Sequence, residues 1–361
     1  MCSVTCSACL VVSLLVSRVA VGAEPSAPAS ALEMVVEAGQ VIGKINAGLL
    51  GVNHGPLAVY ESHAIFNGKN AVDLSDRYKE IGVRSVRLDE FGAIDIQSLF
   101  PDFTADADKP ESYRFCPADA YLKAVHDVGA ETVFRMGYSE KPNRVDPPSD
   151  FEQWTKVMVQ VVKHYNEGWA NGYRWGIRHW EVWNEPSGLG WTGTLPEYCR
   201  LYETVVKGLK AYDPNLLVGG PTLGSPDAQK DKDWGEGFIR YCADRKLPLD
   251  FFSYHLYFTK PQEQIEHATR HRRNLNAAGF HDTKMFLTEW GWLSGRAYPP
   301  PVEDLASAKD AAADIAAMAI LHDRVEGAHF YVGGAMADYP WGLFDFVRES
   351  GKVSARPRKS F

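Results

Sequence analysis

The sequence predicts an α/β protein closed into a (β/α)8 TIM barrel, and three observations lead there. Short apolar runs rich in β-branched or aromatic residues recur eight times after Leu32. Polar loops and longer amphipathic stretches separate them, the alternation expected of parallel strands joined by crossover helices. No change in composition marks an internal boundary, so the eight units are expected to close into one barrel and not to lie open as a doubly wound sheet.

Ahead of the barrel, an apolar stretch from Ala8 to Ala20, broken by Ser13, Ser17 and Arg18, ends in Val21-Gly22-Ala23 before Glu24. That order predicts a secretory signal over 1–23, cleaved after Ala23, and hence a secreted or periplasmic protein. The apolar part falls short of the roughly 20 residues that span a bilayer, so no membrane span is expected after signal cleavage. Residues 24–44 read as a leader containing Pro25 and Pro28, then a short strand or hairpin over Leu32 to Lys44 outside the barrel. The barrel domain takes up 45–361.

The predicted strands are Leu49 to Asn53, Ser85 to Asp89, Thr132 to Gly137, His179 to Asn184, Leu216 to Pro221, Asp250 to His255, Met285 to Glu289 and Ala328 to Val332. Helix signals fall between them. Pro117 opens a helix from Ala118 to Val128 that Gly129 closes, and Thr194 with Glu197 forms a capping box ahead of Tyr198 to Tyr212, with Pro214 beyond. From Phe151 to Tyr165, the residues Trp154, Val157, Met158, Val161, Val162 and Tyr165 recur at helical spacing, which marks a buried stripe. After strand eight, 345–361 is short for a full last helix.

Composition narrows the partners. With 45% hydrophobic and 23% charged residues the chain can bury a large core, which sets disorder aside. A formal net charge of -8 offers no basic face to nucleic acid, and Arg356, Arg358 and Lys359 read as a solvated tail. A neutral substrate fits better. Cys2, Cys6 and Cys9 lie in the predicted signal. Cys116, Cys199 and Cys242 make neither a disulfide framework nor a metal-binding pair; at most one bridge can form among them, buried free thiols are the plainer reading, and no metal or cofactor is expected.

Functional residues of this fold sit at the C-terminal ends of the strands. Glu185 ends His179-Trp180-Glu181-Val182-Trp183-Asn184-Glu185, and Glu289 ends Met285-Phe286-Leu287-Thr288-Glu289. Those are strands four and seven, across the mouth from each other, so the two side chains can face. Paired carboxyls are what glycosidic cleavage needs: one protonates the leaving oxygen, and the other attacks the anomeric carbon or activates water. Crowding like charges among aromatic walls raises the proton affinity of one and leaves the other ionised.

The segment His179 to Gly220, HWEVWNEPSGLGWTGTLPEYCRLYETVVKGLKAYDPNLLVGG, together with Thr288-Glu289-Trp290, resembles the glycoside hydrolases of clan A, and within them family 39, the β-xylosidase and α-L-iduronidase family. The resemblance covers about Gly48 to Asp345. It implies a retaining O-glycosidase of β-xylosidase type acting on oligo- or polysaccharide, with Glu185 as general acid/base and Glu289 as nucleophile. It also implies that Asn184 binds the sugar 2-hydroxyl, that Arg87 holds the nucleophile ionised, that Tyr257 of the His255-Leu256-Tyr257 motif orients it, and that His54 contacts the sugar. Clan members usually end strand eight in a tryptophan. Here it reads His329-Phe330-Tyr331-Val332, so Trp341 or Trp292 is expected to supply the sugar platform, with Trp290 a further candidate beside the nucleophile. Family members commonly carry a β-sandwich too, for which little sequence follows strand eight.

Other signals point elsewhere and are weaker. Gly188-Leu189-Gly190-Trp191-Thr192-Gly193 matches GxGxxG, but it begins past the strand end and no acid closes the next strand, so a nicotinamide-dependent barrel oxidoreductase is a rival reading only. A barrel that binds sugar without cleaving it is the second rival. His267 and His271 have a metal-compatible spacing, yet Arg270, Arg272 and Arg273 surround them, and the expectation is a solvated helix face. Trp183 and Trp191 read as core.

Overall fold

The computed structural model describes residues 46–59, 66, 70–89, 92–225, 227–292, 308–334, 342–349 and 352–357. The predicted signal with its three cysteines, the leader, the segment Leu32 to Lys44, Trp341, Arg358 and Lys359 lie outside the described residues.

Eight parallel strands close a barrel: β1 (Gly51–Asn53), β2 (Ser85–Leu88), β3 (Glu131–Met136), β4 (His179–Val182), β5 (Leu217–Leu223), β6 (Phe251–Phe258), β7 (Lys284–Trp292) and β8 (Gly327–Phe330). Each pairs with its neighbour in sequence, and β8 returns to β1 with Gly51 opposite His329. All eight predicted strands are present. Their outer face is covered by α1 (Ser75–Glu80), α2 (Cys116–Asp127), α3 (Phe151–Asn166), α4 (Leu195–Tyr212), α5 (Ala228–Asp244), α6 (Glu263–Ala277) and α7 (Ala308–Leu321). Among the described residues, β8 is followed by a hairpin of Phe344–Glu349 and Lys352–Pro357, and β1 by one of Leu57–Val59 and Ala71–Asp73. No described helix is long and apolar enough to cross a membrane.

Local chemistry sets the helix ends. Thr194 and Glu197 form the capping box that starts α4, each side chain bonding the other's backbone N–H. Asp150 caps α3 by accepting from Gln153 N, and Gly129 stops the chain after α2 with φ +78°, a left-handed conformation that glycine adopts without cost. The α3 stripe from Trp154 to Tyr165 is wholly buried against the barrel.

Three strands run further than their sequence predicts, β5 by two residues to Leu223 and β6 and β7 by three each. β6 and β7 stay paired to Phe258 and Trp292, after a register shift that sets Tyr254 opposite Leu287 but His255 opposite Glu289, with Thr288 as the extra residue. Such a bulge bends its strand and re-aims the side chains beyond it. Here it brings Glu289 level with His255. Inside the barrel the alternation of strand faces places Arg87, Arg135 and Glu181, all buried, between apolar neighbours that pack outwards.

Candidate active site

Arg87 organises the mouth. Its neighbours Val86 and Leu88 are buried in the wall, so by strand alternation the guanidinium enters the lumen, where it is fully buried. Nε donates to Glu181 (2.6 Å), Nη1 to Glu289 (2.7 Å) and Asn53 (3.1 Å), and Nη2 to Asn184 (2.6 Å). One planar fork thus ties together the ends of β1, β4 and β7. Burial pulls its pKa down, but the charges of Glu181, Glu289 and Asp89 outweigh that and hold it above the usual arginine value. Asn53 is locked in turn by donating to the carbonyls of Thr288 (2.8 Å) and His329 (3.1 Å), which leaves its oxygen for Arg87.

Both oxygens of Glu289 are held. Oε1 accepts from Arg87, and Oε2 accepts from the Tyr257 hydroxyl at 2.9 Å. The carboxyl of Glu185 lives differently. It follows β4, its side chain is 27% exposed, and its Oε1 lies 2.9 Å from His255 Nδ1. Burial, then the negative charge of Asp89, raise its pKa to about 7 against the opposing pull of Arg87. His255 is driven the other way, to about 3, by burial and then by Arg87, so its ring is neutral beside the acid. Environment alone has split two identical carboxyls into a proton holder and an ion-paired partner.

Single oxygens of Glu185 and Glu289 and one nitrogen of His255 lie within 4.8 Å of one another. Retaining glycosidases hold their carboxyls about 5–5.5 Å apart, and inverting ones about 6.5–9.5 Å, to admit a water. Oxygens that approach this closely leave little room for the interposed water of the second class. The same three side chains offer metal-ligand atoms, but Arg87 already places a cation 2.7 Å from Glu289.

Strained backbone surrounds the pair. His54 (φ 66°), Trp183 (φ 74°), Glu185 (φ 45°) and Thr222 (φ 53°) all adopt left-handed conformations at or near strand exits, at about 1–2 kcal/mol each. Packing holds them there: Glu185 N donates to Thr222 Oγ1 (3.2 Å), and the Trp183 indole to Gly190 O (2.6 Å). The glycine loop serves the same end. Gly188 and Gly190 donate their N–H groups to the Glu185 carbonyl at 2.9 and 3.1 Å, and a Cβ on Gly190 would strike the Asn184 carbonyl. Those glycines let the chain wrap around the acid's own backbone, which leaves the dinucleotide reading without a site.

Residues 68–318 match the family described as Glycosyl hydrolases family 39. The chain belongs to glycosyl hydrolase family 39. A β-xylosidase from Geobacillus stearothermophilus is 26% identical over 268 residues, 63% of this chain and 50% of that protein. Human α-L-iduronidase is 25% identical over 215 residues, 53% of this chain and 31% of that protein. The chain therefore spans half or less of these curated relatives. Among solved structures, a glucosidase from Croceicoccus marinus is similar with a TM-score of 0.67 and 27% identity, covering 82% of this chain and 64% of that one.

In this family 39 barrel the predicted polar residues converge, but the predicted tryptophans do not. Asn184 donates from Nδ2 to the Tyr138 hydroxyl (3.2 Å), and His54 reaches Gly334 O through Nδ1 (3.2 Å) with Nε2 3.9 Å from Asp89. Trp290 is corrected: Glu289 faces the lumen, so its strand neighbour points out, buried between the rings of Phe258 and Phe330 in the helix layer. Trp292, two residues further on, is also buried, and its Nε1 donates to Thr259 O (3.2 Å). Trp341 lies outside the described residues. The aromatic at the β8 exit is Tyr331, whose ring meets His54 edge-on at 5.8 Å and Tyr257 at 6.0 Å.

Sequence reasoning also missed Glu181, Asn53, Asp89 and Tyr138. Glu181 was detectable, since a glutamate between buried Trp180 and Val182 on a strand must face the lumen. Two smaller expectations change as well. His271 is buried against Phe252 and Tyr254, not on a solvated face, and Cys116 is exposed, whereas Cys199 and Cys242 are buried free thiols as expected.

Proposed function

We propose that this chain is a retaining O-glycosidase of β-xylosidase type, acting on an oligo- or polysaccharide. The observation that carries the reading is the close facing pair Glu185 and Glu289 in unlike environments. Glu185 gives its proton to the glycosidic oxygen while a Glu289 oxygen attacks the anomeric carbon. The bond to the leaving group breaks, that group departs as an alcohol, and a glycosyl ester forms. Glu185, now ionised, then takes a proton from water, whose oxygen displaces Glu289 and releases the sugar with its configuration retained. Esterification removes a negative charge facing Glu185, which favours its ionised form for that second half. Arg87 and Tyr257 aim Glu289, and Asn184, with one amide hydrogen left after bonding Tyr138, meets the sugar 2-hydroxyl. His54 contacts the sugar, with Tyr331 beside it as the ring at the β8 exit.

Xylose is the first sugar to test and glucose the second, by likeness to the β-xylosidase and the glucosidase. A panel of aryl xylosides, glucosides, arabinosides and iduronides, with the product anomer read by proton NMR, is expected to give hydrolysis with retention. A 2-fluoro glycoside should label Glu289. Sugar binding without turnover, or an inverted product, overturns the reading.

The pH profile carries its own expectation. Glu185 must hold a proton to act first, so kcat/KM should fall as pH rises past about 7. Because the charge of Asp89 adds to burial in raising that value, Asp89→Asn should move the falling limb to lower pH. A limb that stays in place counts against Glu185 as the acid.

Export is also proposed, on the sequence of 8–23 alone. Expression of the full chain with its N-terminus read from the medium or periplasm should give Glu24 first, and cytoplasmic protein keeping residues 1–23 refutes it.

A further inference from the structure

Behind Glu185 lies a buried polar relay that glycosidic chemistry as described leaves unused. Ser187, two residues past the acid and fully buried, donates from Oγ to Asp231 Oδ1 at 2.8 Å. Asp231 sits in the first turn of α5 and accepts a second bond from Ser225 N at 3.1 Å. With its hydrogen committed to Asp231, the Ser187 hydroxyl is left as an acceptor, and Gly224 N donates to it at 3.1 Å. Three segments meet there: the loop after β4, the exit of β5 and the start of α5.

Gly224 is the wall against which the acid rests. A Cβ placed on it would collide with the Glu185 carboxyl, at Oε1, Cδ and Cγ alike. Its φ is not in the left-handed range, so closeness and not conformation demands glycine there. The carboxyl is therefore held between His255 Nδ1 on one side and the Gly224 main chain on the other. A general acid must meet the leaving oxygen within hydrogen-bond reach, so displacement of that wall misplaces the proton.

We infer that Ser187 and Asp231 are positioning residues for the acid/base: they fix the Gly224 backbone, and through it the carboxyl of Glu185. The inference rests on Glu185 being the general acid, and the test separates the two. A leaving group such as a second sugar needs that proton, whereas 2,4-dinitrophenolate leaves without it. Ser187→Ala is expected to lower kcat/KM about tenfold on the disaccharide, a fraction of the 10²–10⁴ general acids supply, and less than about twofold on the dinitrophenyl glycoside. Asp231→Asn keeps an oxygen acceptor and should stay near wild type on both, while Asp231→Leu should match Ser187→Ala.

The dinitrophenyl substrate doubles as a check that each variant is folded. An equal fall on both substrates for Ser187→Ala, or equal behaviour of Asp231→Asn and Asp231→Leu, overturns the inference. Glu185→Ala should give the same contrast at full size. If it gives none, the assignment of Glu185 as acid has failed, and the inference falls with it.

Discussion

Glu289→Ala is expected to lower kcat on the best aryl glycoside by roughly 10⁴-fold or more, the scale seen when a nucleophile is removed from a working constellation. The fold should survive. Arg87 loses one partner at 2.7 Å but keeps Glu181 at 2.6 Å, so its guanidinium is not left buried and unpaired. Added azide distinguishes the two roles. In Glu289→Ala, azide entering the space left by the carboxylate attacks the anomeric carbon directly while Glu185 protonates the leaving oxygen, one displacement that gives the inverted glycosyl azide. In Glu185→Ala, Glu289 still forms the ester if the leaving group is activated, and azide then attacks from the other face, giving the retained product. Exchange of those two stereochemical outcomes would reverse the assignment. Activity within about tenfold of wild type for Glu289→Ala would remove it.

The barrel was legible because its strands are short apolar runs and some of its helices carry a start or stop signal. The Thr194–Glu197 box and the α3 stripe appear as read. Strand ends were less legible. The bulge at Thr288 carries no compositional mark, so β7 was expected to end at Glu289 when it runs to Trp292. That error turned Trp290 into a mouth residue, although alternation with an inward Glu289 sends it outwards. His271 failed for a related reason: nearby arginines suggested solvent, yet Ala268, His271 and Leu275 share one buried helical face. Contacts between distant segments, such as Ser187 with Asp231, leave no trace in local pattern at all.

Arg87→Ala is expected to damage fold and turnover together. The side chain is fully buried among Glu181, Glu289 and Asp89, with Arg135 Nε 3.5 Å from Asp89 as a second cation. Removing one partner of a buried pair typically costs about 3–5 kcal/mol, because the carboxylate left behind is neither solvated nor paired. Glu181 is the group most harmed, having no exposure and its ion pair only with Arg87 among the described residues. At that cost a domain of this size should melt about 5–7 °C lower. Arg87→Lys tests geometry apart from charge. One ammonium cannot span four acceptors on three strand ends, so the charge survives while Asn184 or Glu289 loses its aim. That variant should melt closer to wild type yet lose kcat more than it raises KM. Adding Glu181→Gln to Arg87→Ala should recover part of the stability, since it neutralises the stranded carboxylate, and the two changes should therefore be strongly non-additive. Additive losses, or an Arg87→Ala midpoint within a degree or two of wild type, would mean that the lumen tolerates those carboxylates by other means and that the mouth is not organised around Arg87.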